Sequence, residues 1–385
     1  MHLYNLLAYG SMLNDSTRVD AYAESLRHAI EKDAIVIDIG TGAGFFAFLA
    51  CQLGAKRVYA IEPNPSIHVA KQIANTYGLK DRIQFIQDFS QKIELPEPAD
   101  VILEDMRGMF PWNTGRMAVI VDARNRFLKP SGTLITQRDR FSLSLVCIPQ
   151  LYQQSVIQPW SQNDHNLDMR AAHRYIVNQI HRPRLKAEHL FDRPQSICTL
   201  DYATIEDPNL SATVEWAVSE SGVAHGFTTW FEAQLAGGFA FSTMPAVEST
   251  VYGTPFFPWP EPVELAPGDV VFIDLRATLA GDYYDWRWET RVYDQGNKNP
   301  VKAHFKQGTM LSRIITPAEI RKGQPDYRPV LNNDGETRRL ILNLMDGSYT
   351  VREIAQQLSQ AFPARFGSME DAMPEVISFS QRFSR

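Results

Sequence analysis

At 385 residues the chain is longer than one ordinary hydrophobic core supports, so two or three domains are expected. Apolar residues at 44% and charged residues at 21% are ordinary for a soluble globular protein, and a net charge of −6 argues against a general nucleic-acid binder, which carries a basic surplus. Cys51, Cys147 and Cys198 are too few and too scattered for a disulfide framework or a zinc pattern. No stretch approaches the ~20 apolar residues of a membrane span and no basic start leads into an apolar core, so no membrane partner and a cytoplasmic location are expected.

In chain order, Tyr22, Leu26 and Ile30 fall at helical spacing after Tyr9-Gly10-Ser11-Met12-Leu13-Asn14-Asp15-Ser16-Thr17-Arg18. This is either an amphipathic helix packed on a sheet or a lid over a ligand. Ile35-Val36-Ile37-Asp38-Ile39 is apolar at nearly every position, the pattern of a buried parallel strand. Gly40-Thr41-Gly42-Ala43-Gly44 follows, where glycines let the backbone turn sharply and approach a ligand, and Phe45 to Cys51 continues as a buried helix. A dinucleotide fingerprint wants Gly or Ala where Phe45 stands, so that pattern fits poorly. The spacing Asp-x-Gly-x-Gly-x-Gly is similar instead to motif I of class I S-adenosylmethionine (AdoMet) methyltransferases.

The next strand, Arg57 to Ile61, ends at Glu62, whose carboxylate suits a ribose cis-diol; NAD would ask for the same acid. Ile67 to Tyr77 reads as a helix closed by Gly78. After the strand Arg82 to Ile86, the cluster Asp88-Phe89-Ser90-Gln91 suits an adenine amino group or is a surface turn. The strand Asp100 to Leu103 ends in Glu104 and Asp105, at the sheet edge where ligands gather. These acids bind a cationic acceptor, take its proton or cap a helix. Leu128 to Ile135 reads as a turn and strand closing a first domain, 1–140.

From Phe141 the period shortens to alternation, with many aromatics and frequent Pro and Gly, which predicts an antiparallel β domain over 141–321. A polar insertion, Asp164 to Leu190, reads as helical and exposed. Residues 327–385 form a small helical module after a linker at Lys322 to Pro329. Asn333 with Glu336, Thr350 with Glu353, and Ser368 with Asp371 are its helix starts, Gly347 closes the first helix, and Met373, Val376 and Ile377 share a face of the third.

Residues from about Tyr9 to Val292 resemble the protein arginine methyltransferases. The likeness rests on the Tyr9-to-Arg18 segment, on Val36 to Gly44, on Tyr59-Ala60-Ile61-Glu62, on Phe241-Ser242-Thr243-Met244-Pro245, and on Pro262-Val263-Glu264-Leu265 with Gly268-Asp269. It implies an α/β fold plus β fold: a Rossmann-like AdoMet-binding domain, a β-barrel, and a helical dimerisation arm at about 164–190 of a homodimer. It implies S-adenosyl-L-methionine as cofactor, with Met12, Arg18, Asp38, Gly40, Thr41, Gly42, Gly44, Glu62, Asp88, Phe89, Ser90 and Glu104 around it, and Arg18 on its methionine carboxylate. Glu104 and Asp105 are the expected catalytic residues, Glu104 by the resemblance and Asp105 as the adjacent strand-end acid, and no metal is expected.

Two departures bear on the methyl acceptor. The family clamps a guanidinium between two glutamates; Glu104 matches the first, and Asn113 stands at the second. Its Thr-His-Trp motif falls near Ser249-Thr250-Val251, without histidine or tryptophan. The expectation is an AdoMet-dependent methyltransferase acting on a peptide or small-molecule acceptor other than ordinary protein arginine. The alternatives are true arginine N-methylation and an inactive cofactor-binding scaffold. Trp112, His225 and Trp288 are further pocket candidates. Leu344 to Ile354 resembles the PqqD-like peptide-binding domains, which implies a module that holds a leader peptide by adding it as a strand to a small sheet.

Overall fold

A computed structural model of the chain describes residues 5–113, 115–161, 165, 167–245, 250–281, 283–295 and 297–384. Asp164, where the predicted arm starts, and Ser249 of the altered Thr-His-Trp motif lie outside the described residues. The described residues divide into two compact units, 1–313 and 314–385.

The first unit opens with two helices, α1 (Leu6–Asn14) and α2 (Ser16–Ala29). The break falls at Asp15, whose side chain accepts from Arg18 N at 3.2 Å and so caps α2. The α/β part follows in order: β1 (Ile35–Ile39), α3 (Phe45–Gln52), β2 (Arg57–Ile61), α4 (Ile67–Thr76), β3 (Ile83–Ile86), β4 (Ala99–Glu104), α5 (Arg116–Phe127) and β5 (Leu128–Leu134). These five strands make one parallel sheet in the order β3-β2-β1-β4-β5. Every β1 residue is buried, as expected where helices cover both faces. The chain winds outward in one direction from β1 to β3 and in the other from β4 to β5. The switch point therefore lies between β1 and β4, where Ile39 pairs with Glu104. The turn after β1 and the loop after β4 meet at this edge.

β6 (Thr136–Val146) begins the antiparallel part. Short helices follow, α6 (Pro149–Tyr152), α7 (Gln158–Ser161) and α8 (His173–Ile176), and then β7 (Leu190–Asp201), β8 (Leu210–Ala217), β9 (Gly222–Leu235), β10 (Ala240–Ser242), β11 (Phe256–Leu265), β12 (Val270–Ala280), β13 (Tyr283–Asp294) and β14 (Asn297–Gly308). One sheet runs β10-β9-β6-β7 with β11 also on β9; the other runs β14-β13-β12-β8. Rings from the two sheets meet in a shared core, with Phe257 5.1 Å from Trp288. The β4–α5 loop inserts into it: Phe110 lies 4.2 Å from Trp286 and Trp112 5.0 Å from Phe141. Each such pair adds about 0.5–1.5 kcal/mol beyond its buried area, which anchors that loop.

The insertion Asp164 to Leu190 is not wholly exposed, and short helical turns from Pro149 precede it. Tyr152, Val156, Val177 and Leu185 are buried in a core of their own with Val146, Ile148 and Phe256. Apolar residues spaced through a polar sequence hid that core.

The second unit holds α9 (Pro317–Lys322), α10 (Asn333–Leu344), α11 (Val351–Ala361) and α12 (Met369–Phe383). Its core is Ile341, Ile354, Ala355, Leu358, Phe366, Ala372 and Val376. Thr350 and Glu353 form the expected capping box of α11, and Ser368 caps α12. Three details differ. Asn332, not Asn333, caps α10, because its side chain reaches Gly335 N at 2.8 Å. α10 stops at Leu344, before the left-handed Gly347. On α12, Ala372 and Val376 are buried one helical turn apart, while Ile377 is exposed. Among the described residues of this unit there is no strand, so the sheet edge that strand addition needs is missing there.

Candidate active site

The turn after β1 is held by its own backbone and by Glu62. Gly40 N and Thr41 N donate to Ile61 O at 2.8 and 3.1 Å. Gly42 has φ +55°, a conformation that side chains rarely adopt, and a Cβ there would strike the Tyr9 ring of α1. Thr41 Oγ1 donates to Asp38 Oδ2 at 2.6 Å. Asp38 is buried at the end of β1, and burial pushes its carboxyl up to about 7 against the Thr41 hydrogen bond.

Glu62 sits where β2 ends, 7% exposed. Its Oε2 accepts from Gly42 N at 3.0 Å and its Oε1 from Asn64 N at 2.9 Å. Burial raises its pKa more than these two N–H groups lower it. Each oxygen keeps a further lone pair for a ligand hydroxyl. After β3, Asp88 Oδ1 accepts from Phe89 N at 2.8 Å, and the Phe89 ring is partly open to solvent with the Lys92 ammonium 5.1 Å from its centroid. Ser90 is buried, and its Oγ has no hydrogen-bond partner among the described residues. A buried hydroxyl without a partner is costly, and a ligand at this edge would satisfy it.

The structure brings Met12, Arg18, Glu104 and Asp105 together across the mouth of the switch point. Arg18 Nη1 donates to Met12 O at 3.2 Å and its Nε to Asp105 Oδ2 at 2.5 Å. Asp105 also accepts from Arg107 Nη1 at 3.2 Å and from the Tyr252 hydroxyl at 2.7 and 2.8 Å. Burial acts to raise the Asp105 pKa, but the two guanidiniums and the hydroxyl outweigh it and hold it below the usual carboxylate range.

Glu104 is 1% exposed and forked by Arg116, with Nε to Oε2 at 3.0 Å and Nη2 to Oε1 at 2.6 Å. Its Oε2 also accepts from Met106 N at 3.1 Å. Arg116 Nη1 donates to the Tyr202 hydroxyl at 2.6 Å and to Pro111 O at 3.2 Å. The Tyr202 hydroxyl in turn donates to Asp139 at 2.5 Å, and Arg107 forks Asp139 with two bonds of 2.8 Å. Tyr22 closes the network by accepting from Arg107 at 2.6 Å and donating to Glu104 O at 3.2 Å. Three guanidiniums, Arg18, Arg107 and Arg116, thus face three carboxylates, Glu104, Asp105 and Asp139, each side chain no more than 9% exposed.

The sequence carries little signal for Arg107, Arg116, Asp139, Tyr202 and Tyr252, and Tyr22 reads there only as part of a helix face. Asp139 and Tyr202 lie on or beside strands of the other sheet system, where alternation alone marks them as ordinary strand residues. Arg116 carried a weak signal: it opens α5 behind Gly115, a position where a cation opposes the helix dipole and so wants a local carboxylate.

Asn113, at the expected second clamp position, donates its amide to Met106 O at 2.7 Å. In the segment where the Thr-His-Trp motif falls, the backbone N–H of Val251 donates to Asp15 Oδ2 at 2.8 Å. Trp112, His225 and Trp288 are buried. His225 is buried against Tyr152, its ring nitrogen accepts from Ile148 N at 3.3 Å, and burial lowers its pKa.

Comparison with known proteins agrees with this layout. Residues 30–181 match the family described as "Methyltransferase domain", and residues 140–280 match "Arginine methyltransferase oligomerization subdomain". The chain is 28% identical over 232 residues to protein arginine N-methyltransferase 2 of Dictyostelium discoideum, covering 57% of this chain and 45% of that protein. It is 26% identical over 235 residues to the probable protein arginine N-methyltransferase 6 of Arabidopsis thaliana, covering 59% and 54%. The chain thus spans about half the length of these curated relatives. Among solved structures it is similar to Arabidopsis thaliana protein arginine methyltransferase 10, with TM-score 0.68, 21% identity and coverage of 79% and 97%. It is also similar to the Trypanosoma brucei PRMT1 enzyme–prozyme complex with AdoHcy, with TM-score 0.70, 17% identity and coverage of 78% and 96%. The fold is therefore a Rossmann-like α/β domain joined to a β-barrel of the arginine-methyltransferase type. No described helix is long and apolar enough to cross a membrane.

Proposed function

We propose that this chain is an AdoMet-dependent methyltransferase whose cofactor lies between the Gly40–Gly44 turn, Glu62 and Ser90. The observation that carries the reading is Glu62: a buried carboxylate at the end of β2, tied to the glycine turn through Gly42 N and still able to accept from a sugar diol. The unpartnered Ser90 hydroxyl after the next strand supports the same reading, since it fits a nucleoside edge. The matched methyltransferase domain spans this region.

When bound between the Gly40–Gly44 turn, Glu62 and Ser90, the cofactor would supply an electrophilic methyl group for the acceptor's heteroatom. The protein's task is to hold the acceptor on line and to exclude water. Phe110 and Trp112 anchor the loop that carries Asp105 and Arg107, and Tyr22 and Tyr252 fix the two network ends. Glu104 and Asp105 border the acceptor's place.

The relatives are named as protein arginine N-methyltransferases. In this chain Asn113 stands at the second clamp position with its amide bonded to Met106 O, which supports an acceptor other than arginine. The same loss, with Glu104 held by Arg116, favours a second reading: a cofactor-binding subunit without catalysis. The oligomerization-subdomain match supports a homodimer through the region of 140–280.

Titration calorimetry with AdoMet and S-adenosylhomocysteine tests the main reading. Saturable heat that falls at least about tenfold in affinity in Glu62→Ala is expected, since a buried charge-assisted pair of bonds is lost. No heat with either nucleoside would end it. Turnover of any acceptor that Glu104→Gln abolishes would exclude the inactive subunit.

A further inference from the structure

Glu104, the carboxylate at the switch point, already holds a guanidinium. Arg116 meets it with two parallel N–H bonds, the geometry in which a carboxylate takes an arginine from another molecule. Every guanidinium nitrogen of Arg116 has a partner, and its side chain is fully buried. Tyr202 stacks beneath it, with the guanidinium carbon 4.5 Å from the ring centroid. The ion pair is therefore built in, not a chance contact of two mobile side chains.

Charge balance points the same way. Arg18, Arg107 and Arg116 offset Glu104, Asp105 and Asp139 one for one. Within this set of six side chains, a cationic acceptor entering beside Glu104 finds no net negative charge to replace its lost hydration, and a buried unpaired cation is strongly disfavoured. An uncharged acceptor meets no such barrier.

We infer that Arg116 is a specificity-determining residue: it fills the guanidinium site of Glu104 from within the chain, so this crevice takes an uncharged nitrogen or oxygen nucleophile and excludes arginine-like cations. The inference rests on the methyltransferase reading above.

The test uses the 385-residue chain, ethylguanidinium as probe and ethylammonium as control, with AdoMet titrated first. AdoMet heat in the wild type and in Arg116→Ala establishes the cofactor site, so failure there is failure of the functional reading and not of this inference. With AdoMet bound, the wild type should show no saturable binding of either cation. Arg116→Ala should bind ethylguanidinium at least about tenfold more tightly than ethylammonium, and Tm should rise with ethylguanidinium alone. E104Q/R116A should bind neither cation. A general loss of packing would give no such preference. Saturable ethylguanidinium binding to the wild type that is lost in Glu104→Gln overturns the inference, as does an Arg116→Ala protein that binds both cations alike. If Arg116→Ala does not fold, the wild-type and Glu104→Gln titrations decide alone.

Discussion

Arg116 at the start of α5 and Glu104 at the end of β4 stand twelve positions apart in the chain and face each other as a closed fork, 2.6 and 3.0 Å across its two arms. The pair fixes the beginning and the end of the loop that reaches into the barrel core, so its energetics are those of the site as a whole.

Removing one partner of a buried pair leaves an uncompensated charge, and the cost is about 3–5 kcal/mol. Arg116→Met is expected to lose that much stability in urea denaturation. Glu104→Gln with Arg116→Met removes both charges and should recover most of the loss. A double-mutant cycle showing strict additivity would contradict the coupling.

Asp38 and Asp105 should shift stability with pH in opposite senses. The Asp38 carboxyl is pushed up to about 7 from its ordinary 3.8, so the folded state holds its proton where the unfolded chain has lost it. Its contribution is full below about pH 4 and is lost as pH rises through about 7. Asp105 is held low, so its contribution is present above the ordinary aspartate pKa and is lost as pH falls through its lower folded value. Denaturation midpoints across pH should flatten between about 4 and 8 in Asp38→Asn, and below about 4 in Asp105→Asn.

Gly42 meets two separate constraints, its left-handed backbone and the Tyr9 ring. Gly42→Ala is expected to cost about 1–3 kcal/mol and to weaken AdoMet binding. Adding Tyr9→Ala should relieve the steric part and leave the backbone part. Complete restoration by the second change would show that the backbone conformation carries no strain.

In the second unit, the Thr350 hydroxyl accepts from Glu353 N at 3.3 Å, while the Glu353 carboxylate accepts from Thr350 N at 2.7 Å. Thr350→Ala should destabilise α11 by about 1 kcal/mol, read as faster amide exchange over Val351 to Leu358. Unchanged exchange there would show that the cap contributes nothing measurable.

What the sequence made legible is what neighbours along the chain determine. The β1 run, the glycine turn and Glu62 announce themselves by apolar continuity, spacing and a strand-end acid. The capping box at Thr350 and Glu353 is equally local. The charge network is different, because its members come from α2, β4, α5, β6 and the segments after β7 and β10. Nothing near Asp139 or Tyr202 in the chain says that they complete a pair begun at Glu104. Asn332 and Asn333 show the limit even for local signals: two adjacent residues of one type offer the same side chain, and only the backbone turn selects which reaches Gly335 N. The buried core of the insertion escaped notice because its apolar residues are spread thinly through polar sequence.

The most direct measurement is a crystal structure with S-adenosylhomocysteine soaked in. The expected result is density for the nucleoside beside the Gly40–Gly44 turn, with its ribose hydroxyls on Glu62 and its base near Ser90. An empty crevice at saturating nucleoside, or a nucleoside seated away from Glu62, would contradict it.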